Sequence, residues 1–216
     1  MMKSYVLASA LVVFSGSALA DTVFNYDGFY SRMKKSEKVE FSDITLAFML
    51  QKTGTNDPCV VDNAVITTDI SEAPLTIANN GELILPYDEL LNSRKALIVL
   101  KQPESAQSCD LNFKLRSKMP VPQQVTIAQL RKLQSQFDEL LDSLAGLGKY
   151  WLPDVSGLTL HFATEVMAQS TDAAFQQQLL CEQTRCRVQL PASLADSATV
   201  EFSKVPDHAT PLLQQP

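Results

Sequence analysis

The chain has 216 residues, of which 45% are hydrophobic and 19% are charged, and its formal net charge is −6. This composition is that of a globular protein, and it excludes a disordered acidic tail, a collagen-like chain and a coiled-coil rod. The negative charge also argues against a nucleic-acid partner, because an acidic chain repels phosphate unless its basic residues are concentrated on one surface.

The first 20 residues have the pattern of an export signal. Lys3 lies close to the N-terminus, residues 5–14 form an apolar segment, and Ala18-Leu19-Ala20 supplies the small residues of a cleavage site. Cleavage between Ala20 and Asp21 removes one lysine and leaves 196 residues with a net charge of −7. No later apolar run approaches the roughly 18 residues that a transmembrane helix needs. We therefore expect a periplasmic or secreted protein with no transmembrane segment after cleavage.

Residues 21–119 are predicted to form an N-terminal β module with a short helix at its start. Large apolar residues alternate with smaller ones over residues 44–50, which is the period-two pattern of a strand with one buried face. Two further short strands flank Asn79-Asn80-Gly81, and an Asn-Gly step favours a tight hairpin turn. Residues 109–115 are expected to form the strand that closes the module.

Residues 120–150 are predicted to form a linker and an amphipathic helix. Thr126 and Gln129 have the spacing of a capping box, and Gly146 and Gly148 end the helical pattern. The apolar positions of this helix follow a 3-4 spacing, namely Leu130, Leu133, Phe137, Leu140, Leu144 and Leu147. This seam favours either packing against a β module or homodimerisation through residues 130–147.

Residues 151–216 are predicted to form a C-terminal β module that echoes the first. Residues 43–48 resemble residues 157–162, and Glu82-Leu83-Ile84-Leu85-Pro86 resembles Arg187-Val188-Gln189-Leu190-Pro191. Each Leu-Pro step is followed by a polar turn and another strand. The predicted fold class is therefore mainly β (α+β), with two small antiparallel, sandwich-like β modules joined by the amphipathic helix.

The four cysteines are predicted to form disulfides, because an exported chain matures in an oxidising compartment. Four cysteines allow three connectivities. A tight hairpin places Cys181 opposite Cys186, which favours that pair and leaves Cys59 to bridge Cys109. A zinc site is the alternative, but no Cys-x-x-Cys spacing is present and neither pair has a histidine nearby.

Few residues have the spacing of a catalytic site. The glycines form neither a phosphate-binding loop nor a dinucleotide-binding turn, and no serine-nucleophile or zinc-protease motif occurs. The two histidines are expected at the surface, His161 on the polar side of its strand and His208 near a frayed C-terminus. Carboxylates available for a glycosidase pair are Asp27, Asp88, Glu89, Asp138 and Glu139. We expect no cofactor and no metal site.

One segment near the N-terminus mixes aromatic and basic residues. On a short helix, the aromatic residues would share one face and most of the basic residues the other. The alternatives are a helix docked on the core and a contact patch for an acidic partner or an anionic lipid. Trp151 either stacks on a sugar of a bound partner or fills the space between the modules as a plug. The candidate partner patch therefore contains Tyr26, Phe29, Tyr30, Arg32, Lys34, Lys35 and Trp151.

Three segments carry a family resemblance: residues 24–34, Leu85-Pro86-Tyr87-Asp88-Glu89 and Tyr150-Trp151-Leu152-Pro153. They resemble an uncharacterised family of exported proteins from Gram-negative bacteria, which is classed only as a domain of unknown function. The resemblance extends over most of the chain after the signal segment. It implies export and a bacterial envelope setting, and it carries over no catalytic residue.

Three functions are compatible with this sequence. The first is an exported, non-enzymatic envelope protein that binds a protein or a glycan through strand edges, the candidate partner patch or a cleft near Trp151. The second is a hydrolase of envelope polymers that uses paired carboxylates. The third is a structural or assembly factor that dimerises through the helix at residues 130–147.

Overall fold

The computed structural model describes residues 21–103 and 108–214, so the predicted signal peptide and Ala20 lie outside the described residues. The described chain is mostly β, with small antiparallel sheets and a few helices, which confirms the predicted fold class. The strands are β1 (Thr22–Asn25), β2 (Ile44–Lys52), β3 (Asn63–Thr67), β4 (Glu72–Pro74), β5 (Thr76–Ile77), β6 (Leu83–Ile84), β7 (Leu97–Lys101), β8 (Cys109–Ser117), β9 (Gln124–Thr126), β10 (Val155–His161), β11 (Ala168–Ser170), β12 (Leu179–Glu182), β13 (Arg185–Gln189), β14 (Thr199–Phe202) and β15 (His208–Leu213). The α-helices are α1 (Tyr26–Ser36), α2 (Glu89–Ser93), α3 (Ile127–Ala145) and α4 (Ala173–Gln176).

The longest helix, α3, begins and ends at its predicted signals. The Thr126 hydroxyl accepts a hydrogen bond from the Gln129 backbone N–H at 3.2 Å, and the Gln129 side-chain oxygen accepts one from the Thr126 N–H at 2.9 Å. This reciprocal pair satisfies two backbone donors that no intrahelical bond uses. The helix ends before Gly146, whose φ of 59° is favourable for glycine. The predicted capping box is therefore confirmed.

The predicted Asn-Gly hairpin is also present, as strands β5 and β6. Gly81 has a φ of 84°, and its carbonyl accepts a hydrogen bond from the Leu50 N–H at 2.8 Å. A Cβ at position 81 would lie only 2.6 Å from the Leu50 carbonyl oxygen. Glycine is thus required both by the turn and by the close approach of the hairpin to β2.

All of the strand pairs are antiparallel. The larger sheets have the strand orders β1-β7-β3-β4, β12-β13-β10-β15 and β11-β14-β9, and the two remaining pairs are β2-β8 and β5-β6. An isolated bridge between Met49 and Glu82 places β6 beside β2. It joins the pairs β5-β6 and β2-β8 in the order β5-β6-β2-β8.

The topology repeats along the chain. In each half a short strand (β1 or β9) leads directly into a helix (α1 or α3), a 3-10 turn (Val39–Phe41 or Gly146–Trp151) and a long strand (β2 or β10). The order β1-β7-β3 matches β9-β14-β11, and β5-β6-β2-β8 matches β12-β13-β10-β15. The two pairs of segments that resemble each other in sequence, 43–48 with 157–162 and 82–86 with 187–191, lie on corresponding strands. Helix α3 holds in the second repeat the place of α1 in the first.

The two repeats pack against each other through equivalent elements. Strand β8 contacts β15, and α1 contacts α3. At the strand contact, the Ala209 N–H donates a hydrogen bond of 3.0 Å to the buried Ser117 hydroxyl. Between the helices, the Lys35 ammonium donates to the Ser143 carbonyl at 2.7 Å. The buried apolar residues of both repeats form one cluster, so the repeats share a single core.

Both predicted disulfides are present, Cys59 to Cys109 and Cys181 to Cys186. The first joins the segment before β3 to the start of β8, and their Cα atoms lie 5.9 Å apart. The second joins directly opposed residues of the β12-β13 hairpin, with Cα atoms 4.0 Å apart. The bridges indicate an oxidising environment.

Candidate functional site

A polar sheet surface crosses the junction between the two repeats. In β10 the side chains of Leu158 and Leu160 are buried, while His161 lies on the opposite face, as the strand alternation predicts. His161 lies directly opposite Arg185 on one side and His208 on the other. The surface comprises Lys114 and Arg116 from β8, His208 and Thr210 from β15, Thr159 and His161 from β10, and Arg185 and Arg187 from β13. We call this surface the junction face.

Two stacked histidines lie at the centre of the junction face. The ring centroids of His161 and His208 are 4.5 Å apart, and the ring planes differ by 2°. The Nε2 atom of His161 lies 3.0 Å from the Thr210 hydroxyl. The expectation that His208 lies near a frayed end is wrong, because its strand pairs with β10 along six register positions. That pairing orders the C-terminal segment and brings the histidines together.

Both imidazoles are less basic than a free histidine. Burial, which is the largest cause, and charge repulsion from His208, Arg185 and Lys114 together lower the pKa of His161 to about 4. Burial removes water from the charged imidazolium, and nearby cations repel it, so both effects favour the neutral ring and lower its pKa. His161 is therefore neutral at neutral pH.

Charges of both signs act on the pKa of His208. Burial is the main cause that lowers the pKa of His208, and Arg116 and Lys114 add to the shift, whereas the carboxylates of Asp207 and Glu82 oppose it. The Arg116 guanidinium lies 2.8 Å from the Glu82 carboxylate, so these two charges largely neutralise each other. Of the two cations that act on His208, Lys114 is the one with no carboxylate within 4.0 Å among the described residues.

The basic residues of the junction face differ in how they are paired. Arg116 pairs with Glu82, and Arg187 lies 3.2 Å from Glu182. Over residues 21–103 and 108–214, no carboxylate lies within 4.0 Å of the Lys114 ammonium or the Arg185 guanidinium. These two cations can bind an external anion without giving up an internal ion pair.

A shallow groove of about 750 Å³ opens beside the histidines. Thr159, Arg185, Arg187 and Leu212 line it, together with the turn between β12 and β13 and with Glu182, the carboxylate that pairs with Arg187. The Cys181–Cys186 disulfide crosses the hairpin that carries both arginines, which restricts their backbone positions. The groove therefore has a fixed floor and cationic side chains along one wall.

The candidate partner patch divides between core and surface. The aromatic face of α1 packs inward: Tyr26 is fully buried, its hydroxyl donates to the Pro86 carbonyl at 2.5 Å, and Phe29 lies against Phe48 with centroids 5.1 Å apart. Tyr30 stacks on Tyr87 at 5.2 Å. These aromatic rings stabilise the core and cannot reach a partner.

The basic part of the patch remains accessible. Arg32 and Lys34 are exposed, and the Arg32 guanidinium lies over the Phe113 ring at 4.7 Å from its centroid. Lys35 is half-buried by its bond to α3. Trp151 is 83% exposed, so the plug alternative for this residue is wrong. A role in partner binding stays a prediction for the exposed members.

Two of the five carboxylates considered for a hydrolase accept backbone hydrogen bonds, and Glu139 accepts a hydrogen bond from the Ser135 hydroxyl at 2.7 Å. Asp88 caps α2 by accepting from the Leu90 N–H at 2.7 Å, and Asp138 accepts from the Val155 N–H at 3.1 Å. Asp138 and Glu139 are consecutive in α3, and consecutive side chains on a helix do not face each other. Asp27 lies in the first turn of α1 and Glu89 in the first turn of α2.

The leucine seam of α3 packs within the chain. Leu130, Phe137 and Leu140 are fully buried, and Leu133 and Leu144 are partly buried against the same core. A dimer that used this seam would have to displace those contacts. Leu147 is the exception, because it lies beyond the helix and is 83% exposed.

In the ranges that the structure describes, no group of three or more His, Cys, Asp or Glu side chains is placed to hold a metal ion. None of the described helices combines the length and the apolar character that crossing a bilayer requires.

The sequence patterns did not predict the four basic residues of the junction face. The sequence does contain an indication of them, because they form two pairs separated by a single residue, Lys114 with Arg116 and Arg185 with Arg187. In a strand, residues i and i+2 lie on one face. The two pairs could not be placed beside each other without knowing which strands are neighbours.

Comparison with known proteins gives one match. A family model described as "Protein of unknown function (DUF2987)" matches residues 19–162, which is two thirds of the chain. The match includes Lys114 and His161 and ends before Arg185 and His208. No curated protein and no solved structure matches the chain.

Proposed function

We propose that this chain, which belongs to the DUF2987 family of proteins of unknown function, is an exported, non-enzymatic envelope protein that binds an acidic glycan on its junction face. The observation that carries the proposal is the row formed by Lys114, His208, His161 and Arg185 across four adjacent strands. Its two ends are cations that have no carboxylate within 4.0 Å in the described part of the chain, whose net charge over the full sequence is −6.

The dimensions of the row favour an extended ligand. Hydrogen-bonded strands are about 4.8 Å apart, so β13, β10 and β15 span about 10 Å. Strand β8 packs beside β15 and lengthens the row toward that of a short oligosaccharide. Thr159 and Thr210 supply hydroxyl groups between the two cations, and the groove beside them has room for a sugar ring. Carboxylates or phosphates of the glycan would pair with Lys114 and Arg185.

The position of the row within the sheet favours a glycan over an acidic peptide. An extended peptide binds most readily at a strand edge, where backbone N–H and C=O groups are unpaired. The row instead crosses β10 and β13, which are both paired on two sides. A glycan needs only side-chain donors and acceptors, and the junction face provides these.

Export is the second part of the proposal. Two disulfides among the four cysteines support an oxidising compartment, and the charged, apolar and small-residue pattern of residues 1–20 supports secretion into or through the periplasm. In that compartment, acidic polymers of the envelope are the available ligands.

The binding experiment compares an acidic with a neutral oligosaccharide. We expect tetragalacturonic acid to bind the full chain and maltotetraose to bind at least tenfold more weakly in titration calorimetry. Replacing both cations, in the variant K114A/R185A, should weaken binding of the acidic sugar by about 100-fold, because each charge-assisted contact contributes about 1.5 kcal/mol.

The matched control removes two exposed cations elsewhere, in the variant R94A/K204A, and should leave the affinity unchanged. Equal affinity for the two sugars, or equal loss in both variants, would disprove the proposal. Binding of an acidic peptide with no binding of the acidic sugar would show that the ligand is a polypeptide.

A further inference from the structure

Helix α3 ends in an exposed apolar turn that no part of the described chain covers. Leu147, Tyr150 and Trp151 lie in the turn Gly146–Trp151 and are 83%, 75% and 83% exposed. Leu152, the next residue, is 38% exposed. We call Leu147, Tyr150 and Trp151 the apolar tip. Single exposed apolar residues are common, but three large ones within five positions mark a contact surface.

The apolar surface continues from the tip into a groove. A groove of about 270 Å³ lies between α1 and α3, and Phe113, Leu141 and Leu144 form most of its apolar lining. Phe113 is itself 44% exposed on strand β8. Leu144 and Ala145, which both line the groove, directly precede the turn that carries the tip.

Basic side chains border this apolar surface. The Lys149 ammonium lies within the tip turn, 5.4 Å from the Tyr150 ring centroid. Arg32 lies at the groove over Phe113, whereas Lys34, two residues later on α1, lies over the Tyr30 ring and away from the groove. The bond from Lys35 to the Ser143 carbonyl holds the end of α1 beside the end of α3. Two carboxylates, Asp142 and Asp154, also lie near the turn in sequence and are exposed.

We propose that the apolar tip inserts into the interface of an anionic phospholipid bilayer, with Lys149 and Arg32 binding lipid phosphates. Tryptophan and tyrosine are enriched at the level of lipid headgroups, because their rings are apolar with a polar edge. Leucine adds apolar area that can enter the acyl boundary. The cations match the negative charge of an anionic leaflet, where each adds to membrane affinity. This inference is independent of the glycan site, which lies on another surface.

Trp151 allows a direct test, because it is the only tryptophan in the chain. We expect its fluorescence emission to move to shorter wavelength when the full chain is mixed with vesicles of phosphatidylcholine and phosphatidylglycerol. Lipids brominated on the acyl chain should quench that emission. Phosphatidylcholine vesicles alone should produce a weaker response, since they lack the net negative charge. A signal from Trp151 distinguishes insertion of the tip from binding through any other segment.

Variants separate the apolar contribution from the charged one. L147S/Y150S keeps Trp151 and should lower vesicle binding at least tenfold in a pelleting assay, because it removes most of the inserted apolar area. K149E should reduce the preference for anionic vesicles. The matched control M119S/M167S changes two methionines that are 73% and 74% exposed elsewhere, and should bind as the parent chain does.

Two outcomes would overturn the proposal. The first is unchanged Trp151 emission with both vesicle types. The second is a change in oligomeric state for L147S/Y150S in light scattering, which would show that the tip packs against a second copy of the chain. The variant K114A/R185A, which tests the glycan site, should retain full vesicle binding.

Discussion

His161 shows how a single residue of the junction face couples the fold to pH. Its imidazole packs against His208 and contacts Thr210, and burial keeps its pKa near 4, below the ordinary value of 6.5. As the pH falls below 6.5, the unfolded chain takes up a proton before the folded one does. The stability contributed by neutral His161 is therefore complete above pH 6.5 and is lost between pH 6.5 and 4.

We predict that H161Q removes this part of the pH dependence. Glutamine keeps a donor and an acceptor near Thr210 but does not titrate. Because His161 is partly exposed and solvent screens its charge, we expect the difference in unfolding free energy between parent and variant to change by about 1–2 kcal/mol from pH 7 to pH 4.5. Urea unfolding of both proteins at several pH values measures this difference in unfolding free energy. Parallel pH profiles for the two proteins would contradict the prediction.

At the scale of elements, the two disulfides constrain segments of very different length. Cys59 and Cys109 are separated by 50 residues, and Cys181 and Cys186 by 5. In the chain-entropy model, a bridge stabilises the fold by restricting the unfolded chain, and longer loops lose more freedom. The long bridge joins the segment between β2 and β3 to β8, while the short one supports the hairpin that carries Arg185.

We predict that C59S/C109S lowers the free energy of unfolding by about 4 kcal/mol and that C181S/C186S lowers it by about 2 kcal/mol. Denaturant unfolding under non-reducing conditions measures both. The two double variants serve as controls for each other, because each removes two sulfur atoms and one bridge. A larger loss for the short bridge would show that local strain or packing, rather than loop entropy, dominates its contribution.

At the scale of the whole molecule, the repeats behave as two halves of one core. Equivalent strands and equivalent helices meet at the junction, as in a symmetric dimer whose subunits are joined into one chain. Polar contacts cross it as well, since the buried Gln136 side chain of α3 accepts from the Asp43 N–H at 3.1 Å. Separating the halves would expose these apolar surfaces and leave buried polar groups without partners.

We predict that residues 21–118 and residues 119–216, produced separately, do not unfold cooperatively. Each half should show weak amide protection in hydrogen exchange, while an equimolar mixture should regain protection in β8 and β15. The continuous chain is the reference. A cooperative thermal transition for either half alone would show that the repeats are independent domains.

Much of this architecture was predictable from the sequence because it depends on local rules. Period-two alternation predicted β2, the capping box and the 3-4 spacing predicted α3, and Asn80-Gly81 predicted the β5-β6 hairpin. The hairpin around residues 183 and 184 predicted the Cys181–Cys186 bridge, which left the other pair. Strands β1, β9 and β15 were not predicted, because each is short or rich in polar residues and proline, and pairs only with a distant segment.

The sequence by itself determined the fold class, the cysteine pairing and the face of its strand on which His161 lies, because each follows from spacing along a few residues. Only the tertiary structure decided that His208 stacks on His161, that Lys114 and Arg185 end the same row, and that the α1 aromatics are core while Trp151 is exposed. These arrangements depend on which strands become neighbours when the repeats share a core. Packing between distant segments determines which strands become neighbours, and local periodicity does not predict it.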